Sequence, residues 1–128
     1  MSSLLLGAGS NRAKTVSMDG NREWNGELTT LDIEARHSPD VVWDLNVTPW
    51  PFADNSFDEI GAFEVLEHLG SQGDYNSFFA HFSEIWRILK PDGRLFASCP
   101  MWDSPWAWSD PGHRRVITKH SLIFLDQR

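Results

Sequence analysis

The sequence predicts an α/β domain built on a parallel sheet, and two features of its pattern predict this. Short apolar runs alternate with polar loops or helical segments along the 128 residues, which is typical of parallel strands joined by crossovers. Glycines or acidic residues follow most of these runs. Ligands of such sheets bind beyond the carboxyl ends of the strands, so a binding site is expected where these residues collect.

The predicted strands are short runs rich in leucine, β-branched or aromatic residues. The segment Thr48–Ser56 is predicted as loop, because two prolines and an Asp-Asn-Ser cluster break any ladder. The segment Ser10–Gly26 has no helical stripe and allows at most a short turn over Asn11–Val16. In chain order, the predicted strands are Leu4–Leu6, Leu28–Ile33, Val41–Trp43, Phe57–Phe63 and Gly93–Pro100.

The clearest predicted helix begins after Asp74, which can cap it, and ends at Lys90–Gly93. Shorter helical segments are expected over Glu64–Leu69 and from Thr118 onward. The long helix carries an apolar stripe that we interpret as a core-facing side. Its members are Tyr75, Phe78, Phe79, Phe82, Ile85, Trp86 and Leu89.

Length, charge and cysteine content limit the class of protein. Residues 1–128 are enough for one domain. The net charge of −7 argues against general nucleic-acid binding. No run approaches the roughly 20 apolar residues of a membrane span, and the residues before the first glycine are too few for a secretory signal. The single cysteine, Cys99, excludes an internal disulfide and a cysteine-only zinc site. We therefore expect a cytoplasmic protein.

The glycines and acids at the predicted strand ends indicate nucleoside recognition. Gly7 and Gly9 follow the first strand, where the lack of a Cβ lets a ligand approach the backbone. Asp32 lies 25 positions after Gly7, about the separation at which a carboxylate accepts hydrogen bonds from ribose hydroxyls. A dinucleotide fingerprint would need a third glycine where Arg12 stands, followed by a regular helix. A ligand with one ribose and no phosphate fits better.

Several motifs together resemble class I S-adenosylmethionine-dependent methyltransferases. The resemblance covers roughly residues 4–124 and implies a Rossmann-like sheet of order 3-2-1-4-5 with flanking helices. The sequence departs from the family after strand 5, where the usual antiparallel strands are missing, so we expect a minimal form of that fold. The motifs are Gly7-Ala8-Gly9, Asp32, Asp44, "PWPFADNSFD" (49–58), "FEVLEHL" (63–69) and "WRILKPDG" (86–93), with "SPWAWSDPGHRRVIT" (104–118) similar to a small branch of the family.

The resemblance also implies roles for single residues. The cofactor would be S-adenosylmethionine and its product S-adenosylhomocysteine. Asp32 would hold the ribose hydroxyls, and Asp44 would accept a hydrogen bond from the adenine amino group. The implied cofactor-binding set is Gly7, Ala8 and Gly9 along the methionyl and ribose parts, Asp32 and Ile33 at ribose and adenine, Asp44 and Leu45 at adenine, and Phe63 and Glu64 at the methionine end.

The candidate catalytic residues are His113 and His68, since a histidine near neutral pH can take a proton from an acceptor hydroxyl or amine. The alternative for His113 is a loop pinned by an Asp110–arginine pair. Glu64 and His68 share the i, i+4 spacing of half a metal site, but no third ligand stands at useful spacing, so no metal is expected. Methyl transfer needs little beyond alignment of the acceptor, so a base need not exist.

The expected acceptor is a small molecule, which Trp102, Trp106 and Trp108 could enclose. The alternative is a cofactor-binding or interaction module without turnover. We also expect a homodimer through the edge of strand 5, because an apolar edge strand normally needs a cover. The opposing view is that residues 101–124 fold over that edge.

Overall fold

A computed structural model describes residues 1–126 as a five-stranded parallel sheet of order β3-β2-β1-β4-β5. The predicted strand order is therefore confirmed. The strands are β1 (Ser2–Leu6), β2 (Glu27–Asp32), β3 (Val41–Val42), β4 (Phe57–Phe63) and β5 (Leu89–Ser98). The helices are α1 (Tyr75–Ile88), α2 (Pro105–Ser109) and α3 (Lys119–Leu122), with short 3-10 turns at Ala35–His37, Leu66–His68 and Ile123–Leu125.

The central strand β1 organises the sheet. Leu5 faces Thr30 of β2 on one side and Gly61 of β4 on the other. Leu4, Leu5 and Leu6 are all buried, as expected for a strand that has a neighbour on both edges and cover on both faces. Because all five strands run parallel, their carboxyl ends lie along one edge of the sheet.

The connection from β1 to β2 differs from a usual crossover, because residues 11–17 form neither a helix nor the predicted turn. A buried ion pair holds this segment to the sheet instead. Lys14 Nζ lies 2.9 Å from Glu59 Oε2 of β4. The other Glu59 oxygen accepts hydrogen bonds from the Asn25 N–H and the Ser3 hydroxyl. One buried carboxylate thus fixes both ends of a connection that lacks its own ladder.

The Glu59 contacts predict a loss of stability in acid. Burial raises the pKa of Glu59, but the hydrogen bonds from Lys14, Asn25 and Ser3 outweigh it and hold the pKa below the ordinary value of 4.5. A depressed pKa contributes stability above the unfolded-state pKa and loses it as the pH falls through the folded-state pKa. We expect the urea midpoint to fall as the pH is lowered below the ordinary carboxyl pKa of 4.5.

The matched variants are Glu59→Gln and Glu27→Gln, the latter at the exposed start of β2. Glu59→Gln leaves Lys14 buried without its partner, so it should lose about 3–5 kcal/mol at pH 7 and show a flatter acid limb. Glu27→Gln should follow the parent. An unchanged acid limb in Glu59→Gln would remove this residue from the account.

Helix α1 begins where predicted, with Asp74 as its N-cap, whose side chain accepts from the Ser77 N–H. It ends at Ile88, and the predicted stop at Lys90–Gly93 belongs to β5, which spans Leu89–Ser98 and not the predicted Gly93–Pro100. Its buried face differs from the predicted stripe. Phe82 and Ile85 are buried as predicted, whereas Tyr75, Phe79 and Trp86 are exposed, Trp86 by 82%. The face that meets the sheet is rotated around the helix and includes His81, Glu84 and Ile88.

Glu84 on that face and its neighbour Arg87 hold another part of the fold. Glu84 accepts from the Trp50 N–H and pairs with Arg87 at 2.7 Å. Arg87 also donates to the carbonyl oxygens of Phe52 and Trp50 and pairs with Asp54. Helix α1 is therefore tied to the "PWPFADNSFD" loop by charged side chains, a role that an apolar-stripe prediction cannot detect.

Strand β5 pairs only with β4 and lies at one edge of the described sheet. Residues 117–119 and Leu122 share a cavity with Leu95, Ala97 and Cys99, so the carboxyl-terminal segment runs close to this edge. Self-association through β5 stays a prediction. Within residues 1–126 the longest helix, α1, has 14 residues, and no helix is long and apolar enough to span a membrane.

Candidate cofactor and acceptor site

A cleft of about 560 Å³ opens at the carboxyl ends of β1, β2 and β4. Its volume lies within the range of ordinary small-molecule sites. Because the cleft lies at the carboxyl ends of these strands, it occupies the place where a parallel sheet is expected to bind its ligand. The lining includes these residues singled out from the sequence: Gly7, Asp32, Ile33, Asp44, Leu45, Glu64 and His68.

The two glycines of the first turn have left-handed backbone conformations, with φ of +59° at Gly7 and +52° at Gly9. Residues other than glycine pay a steric cost in this region. A Cβ at Gly7 would overlap the Val65 side chain, whereas a Cβ at Gly9 would meet nothing within 4 Å. Gly7 is thus required for packing of the chain itself, and Gly9 leaves open space beside the cleft.

Asp32 connects the ends of the first two strands. Its Oδ2 accepts from the Gly9 N–H at 2.7 Å, and its Oδ1 accepts from the Glu34 N–H at 2.8 Å. The residue is only 7% exposed, so these bonds orient the carboxylate rigidly. A carboxylate has about four acceptor positions, and two backbone donors leave capacity for ligand hydroxyls. The predicted acid at the end of strand 2 therefore lies in the cleft with its orientation fixed.

The neighbouring part of the cleft combines an exposed acid with apolar surface. Asp44 is exposed and uses Oδ1 to accept from the Asn46 N–H at 2.9 Å. Ile33 is 61% exposed although it is apolar, and Leu45 is buried. An apolar side chain left open beside a carboxylate suits a flat heteroaromatic ring that carries an amino group.

Three residues of the predicted cofactor-binding set, Ala8, Gly9 and Phe63, shape the surroundings of the cleft and do not line it. Ala8 is buried and donates its N–H to the Leu31 carbonyl oxygen, so it shapes the turn. Gly9 acts through its bond to Asp32. The Phe63 ring packs against Trp24 at 6.2 Å between centroids. None of these three lines the cleft.

Glu64, at the end of β4, has an unusual backbone conformation, with φ of +55°. Residues other than glycine seldom adopt this conformation outside constrained sites. Its N–H donates to the Ser98 carbonyl oxygen at the end of β5, which holds the turn in place. The predicted helical turn over Glu64–Leu69 is therefore shorter, a 3-10 turn over Leu66–His68. Glu64 lies outside that turn, so it does not share a helical face with His68.

A loop from the far end of the chain packs onto that turn. The Arg114 and Arg115 N–H groups both donate to the Glu67 carbonyl oxygen, and Arg115 Nε donates to the Leu66 carbonyl oxygen at 2.9 Å. His68 Nδ1 bonds to the Gly112 carbonyl oxygen at 2.9 Å. These contacts place His113 beside His68.

The imidazole rings of His68 and His113 are 4.7 Å apart between centroids and nearly perpendicular. His113 Nδ1 bonds to the Trp106 carbonyl oxygen, and its Nε2 lies 3.5 Å from Asp110 Oδ2. Asp110 also accepts from the Gly112 N–H. Asp110 therefore pins the loop through His113 and the Gly112 backbone, and no arginine of residues 1–126 forms the predicted pair with it.

Glu67 is a further residue of this cluster, and no pattern in the sequence distinguishes it from its neighbours. It is 2% exposed, and neither carboxylate oxygen has a hydrogen-bond partner in the described chain. Burial, followed by the nearby Glu64 carboxyl, raises its pKa from 4.5 to about 8. The sequence shows that Glu67 belongs to the motif "EVLEHL", but its burial depends on the distant loop at residues 110–115. The cleft residues Trp43, Asn46 and Leu69 were also missed.

Comparison with known proteins agrees with this geometry. A family model described as "Methyltransferase domain" matches residues 6–97, so the chain belongs to the methyltransferase domain family. The motif resemblance is thereby confirmed. A crystal structure of a SAM dependent methyltransferase from Archaeoglobus fulgidus has a similar fold, with a TM-score of 0.69 and 18% identity. The match covers 97% of this chain and 57% of that one. A search of the curated proteins finds no match.

Proposed function

We propose that the chain binds S-adenosylmethionine in the cleft and transfers its methyl group to a small-molecule acceptor. The observation that carries the proposal is Asp32, whose carboxylate is held by the Gly9 and Glu34 N–H groups at the mouth of a cleft in a methyltransferase domain. S-adenosylmethionine is the cofactor that membership of this family implies.

The described residues fit that cofactor. Asp32 would accept from the ribose hydroxyls, and the open space over Gly9 admits a ligand against the backbone. Ile33 and Leu45 would contact the adenine ring, and Asp44 would accept from its amino group. When bound, the cofactor supplies an electrophilic methyl group on a sulfonium centre. What the chain must then provide is alignment of the acceptor and exclusion of water.

The loop that packs against His68 supports the proposal of a small-molecule acceptor. Helix α2 carries Trp106 and Trp108, which are 68% and 67% exposed, and Trp108 Nε1 donates to the Trp102 carbonyl oxygen. The Trp106 carbonyl oxygen binds His113, which contacts His68 in the cleft. Exposed indoles joined to the cleft through two histidines suit a small apolar or aromatic acceptor that bears a hydroxyl or amine.

Cofactor binding is tested by calorimetry with S-adenosylmethionine, S-adenosylhomocysteine and NAD. We expect the two sulfur compounds to bind and NAD not to bind. NAD binding without the sulfur compounds would refute the proposal. Accumulation of S-adenosylhomocysteine with a panel of acceptors then tests turnover. Binding without product for any acceptor would favour a cofactor-binding module.

Asp32→Asn should weaken binding of S-adenosylhomocysteine by about 1–3 kcal/mol, the scale for losing hydrogen bonds to a charged acceptor. Asp40→Asn is the matched control, because Asp40 also accepts from a backbone N–H, that of Thr30 at 2.8 Å, and does not line the cleft. Calorimetry on both variants separates the loss of a contact with the ligand from the loss of a carboxylate that only holds a backbone N–H. Equal affinities in the two folded variants would place the ribose elsewhere.

A further inference from the structure

We propose that Glu67, His68 and His113 bind a divalent transition-metal ion of the zinc class at the edge of the cofactor cleft. Each residue offers one ligand atom, and the three atoms lie within 4.8 Å of one another. Ligands held about 2.0–2.2 Å from Zn²⁺ lie roughly 3.3 Å apart in a tetrahedral arrangement. Closing the site therefore requires the ligand atoms to approach one another by at most about 1.5 Å. Two imidazoles and one carboxylate form a donor set that suits zinc and its neighbours.

The hydrogen bonds of the two histidines favour metal ligation. A carbonyl oxygen can only accept, so His68 Nδ1 must donate to Gly112 and His113 Nδ1 must donate to Trp106. In a neutral ring each bond leaves the lone pair on Nε2. At His113 this nitrogen also lies 3.5 Å from Asp110 Oδ2, which an ion would replace as its partner. Metal-binding histidines are oriented by the same kind of bond from their other ring nitrogen. The fold therefore presents two ligand nitrogens whose orientation is already set.

Glu67 supplies the second, independent observation. Its side chain is 2% exposed, and both carboxylate oxygens lack a partner in the described chain. A buried polar group without a partner costs free energy, and a buried charge costs more unless it is paired or coordinates a metal. A cation held between Glu67 and the histidines would supply the missing partner.

The position of the site suggests what the ion does, and this step rests on the proposed methyl transfer. Three protein ligands leave a fourth position open, as in catalytic zinc sites. His68 lines the cleft, so that position is accessible from the acceptor side. An acceptor hydroxyl bound there would be oriented and made more acidic by the cation. His68 and His113 would then act as ligands and not as bases.

The test is titration of the chelator-treated full chain with Zn²⁺ alone, without cofactor or acceptor, so its outcome is independent of methyl transfer. We expect one ion per chain by calorimetry, and a Co²⁺ absorption spectrum typical of four- or five-coordination. Loss of one ligand should weaken Zn²⁺ binding by more than the roughly 10–100-fold typical of outer-shell changes. His113→Ala and Glu67→Gln should both show this loss. The control is His120→Ala, at an exposed histidine of α3, which should bind as the parent does.

Glu67→Gln keeps the shape of the side chain and removes the carboxylate that would bind the ion, so it separates ligation from folding. We expect its melting temperature without metal to be at least that of the parent, and the rise caused by Zn²⁺ to be lost. Absence of one-to-one binding in the parent would overturn the proposal. Equal binding by Glu67→Gln, His113→Ala and His120→Ala would overturn it as well, since the ion would then lie elsewhere.

Discussion

Gly7→Ala is expected to destabilise the protein by about 2–5 kcal/mol, which combines the cost of a left-handed alanine with that of overpacking. Gly7 has φ of +59°, and an added Cβ would overlap Cγ2 of Val65. Val65 is itself buried in the core, directly after Glu64. The Gly7 backbone and the buried Val65 side chain are both held in place, so the conformational cost and the packing cost apply together. Because Gly7 lines the cleft, affinity for S-adenosylhomocysteine should fall as well.

The matched control is Gly9→Ala. Gly9 has nearly the same backbone conformation, with φ of +52°, but nothing lies within 4 Å of the added Cβ. We expect it to lose only about 1–2 kcal/mol, the cost of the conformation alone. Urea unfolding of both variants gives the difference directly. Equal losses would mean that Val65 moves aside at no cost, and the packing explanation for Gly7 would be wrong.

Trp50→Ala is the second substitution for which we expect a large effect, about 3–5 kcal/mol. Trp50 is 2% exposed and belongs to the main core cluster. Its indole N–H donates to the Leu45 carbonyl oxygen at 3.0 Å, and its backbone N–H donates to Glu84. Truncation removes the ring and leaves the Leu45 carbonyl without that donor. Since Leu45 lines the cleft, that part of the cleft should also become less ordered.

Trp86→Ala tests whether burial, and not the residue type, sets that loss. Trp86 belongs to the same predicted set of aromatic residues but is 82% exposed on α1. Exposed substitutions usually change stability by no more than about 0.5 kcal/mol. Thermal and urea unfolding of the pair should therefore differ by several kcal/mol. A comparable loss in Trp86→Ala would show that its face of α1 is covered in solution.

Features set by local pattern were predictable from the sequence. Strand β4 matches the predicted Phe57–Phe63, and α1 begins after the predicted cap at Asp74. Gly7 and Asp32 reach the cleft because their positions follow from the ends of β1 and β2. Each of these predictions depends on a few neighbouring residues and on one rule of parallel sheets.

Features set by long-range contacts were not predictable. The buried face of α1 includes Glu84 because this carboxylate accepts from the Trp50 N–H in the "PWPFADNSFD" loop, and an apolar stripe contains no such information. The meeting of His68 and His113 depends on hydrogen bonds between residues 44 to 49 positions apart in the chain. Spacing along the sequence cannot indicate such a contact, so Glu67 and its neighbours did not stand out as a cluster.

The loop packed on the turn at Leu66–His68 has a consequence for how such a protein can diversify. The family match ends at residue 97, whereas the three exposed tryptophans and His113 follow it. In the proposed function, the part that would hold the cofactor and the part that would face the acceptor are consecutive stretches of chain. They are joined by bonds to the Leu66 and Glu67 carbonyl oxygens from the Arg114 and Arg115 N–H groups and from the Arg115 side chain. None of these three bonds involves residues 98–112. Acceptor preference would therefore be able to drift through residues 98–112 while the cofactor half stays constant, which would make this loop the natural target for recombination between relatives or for directed evolution.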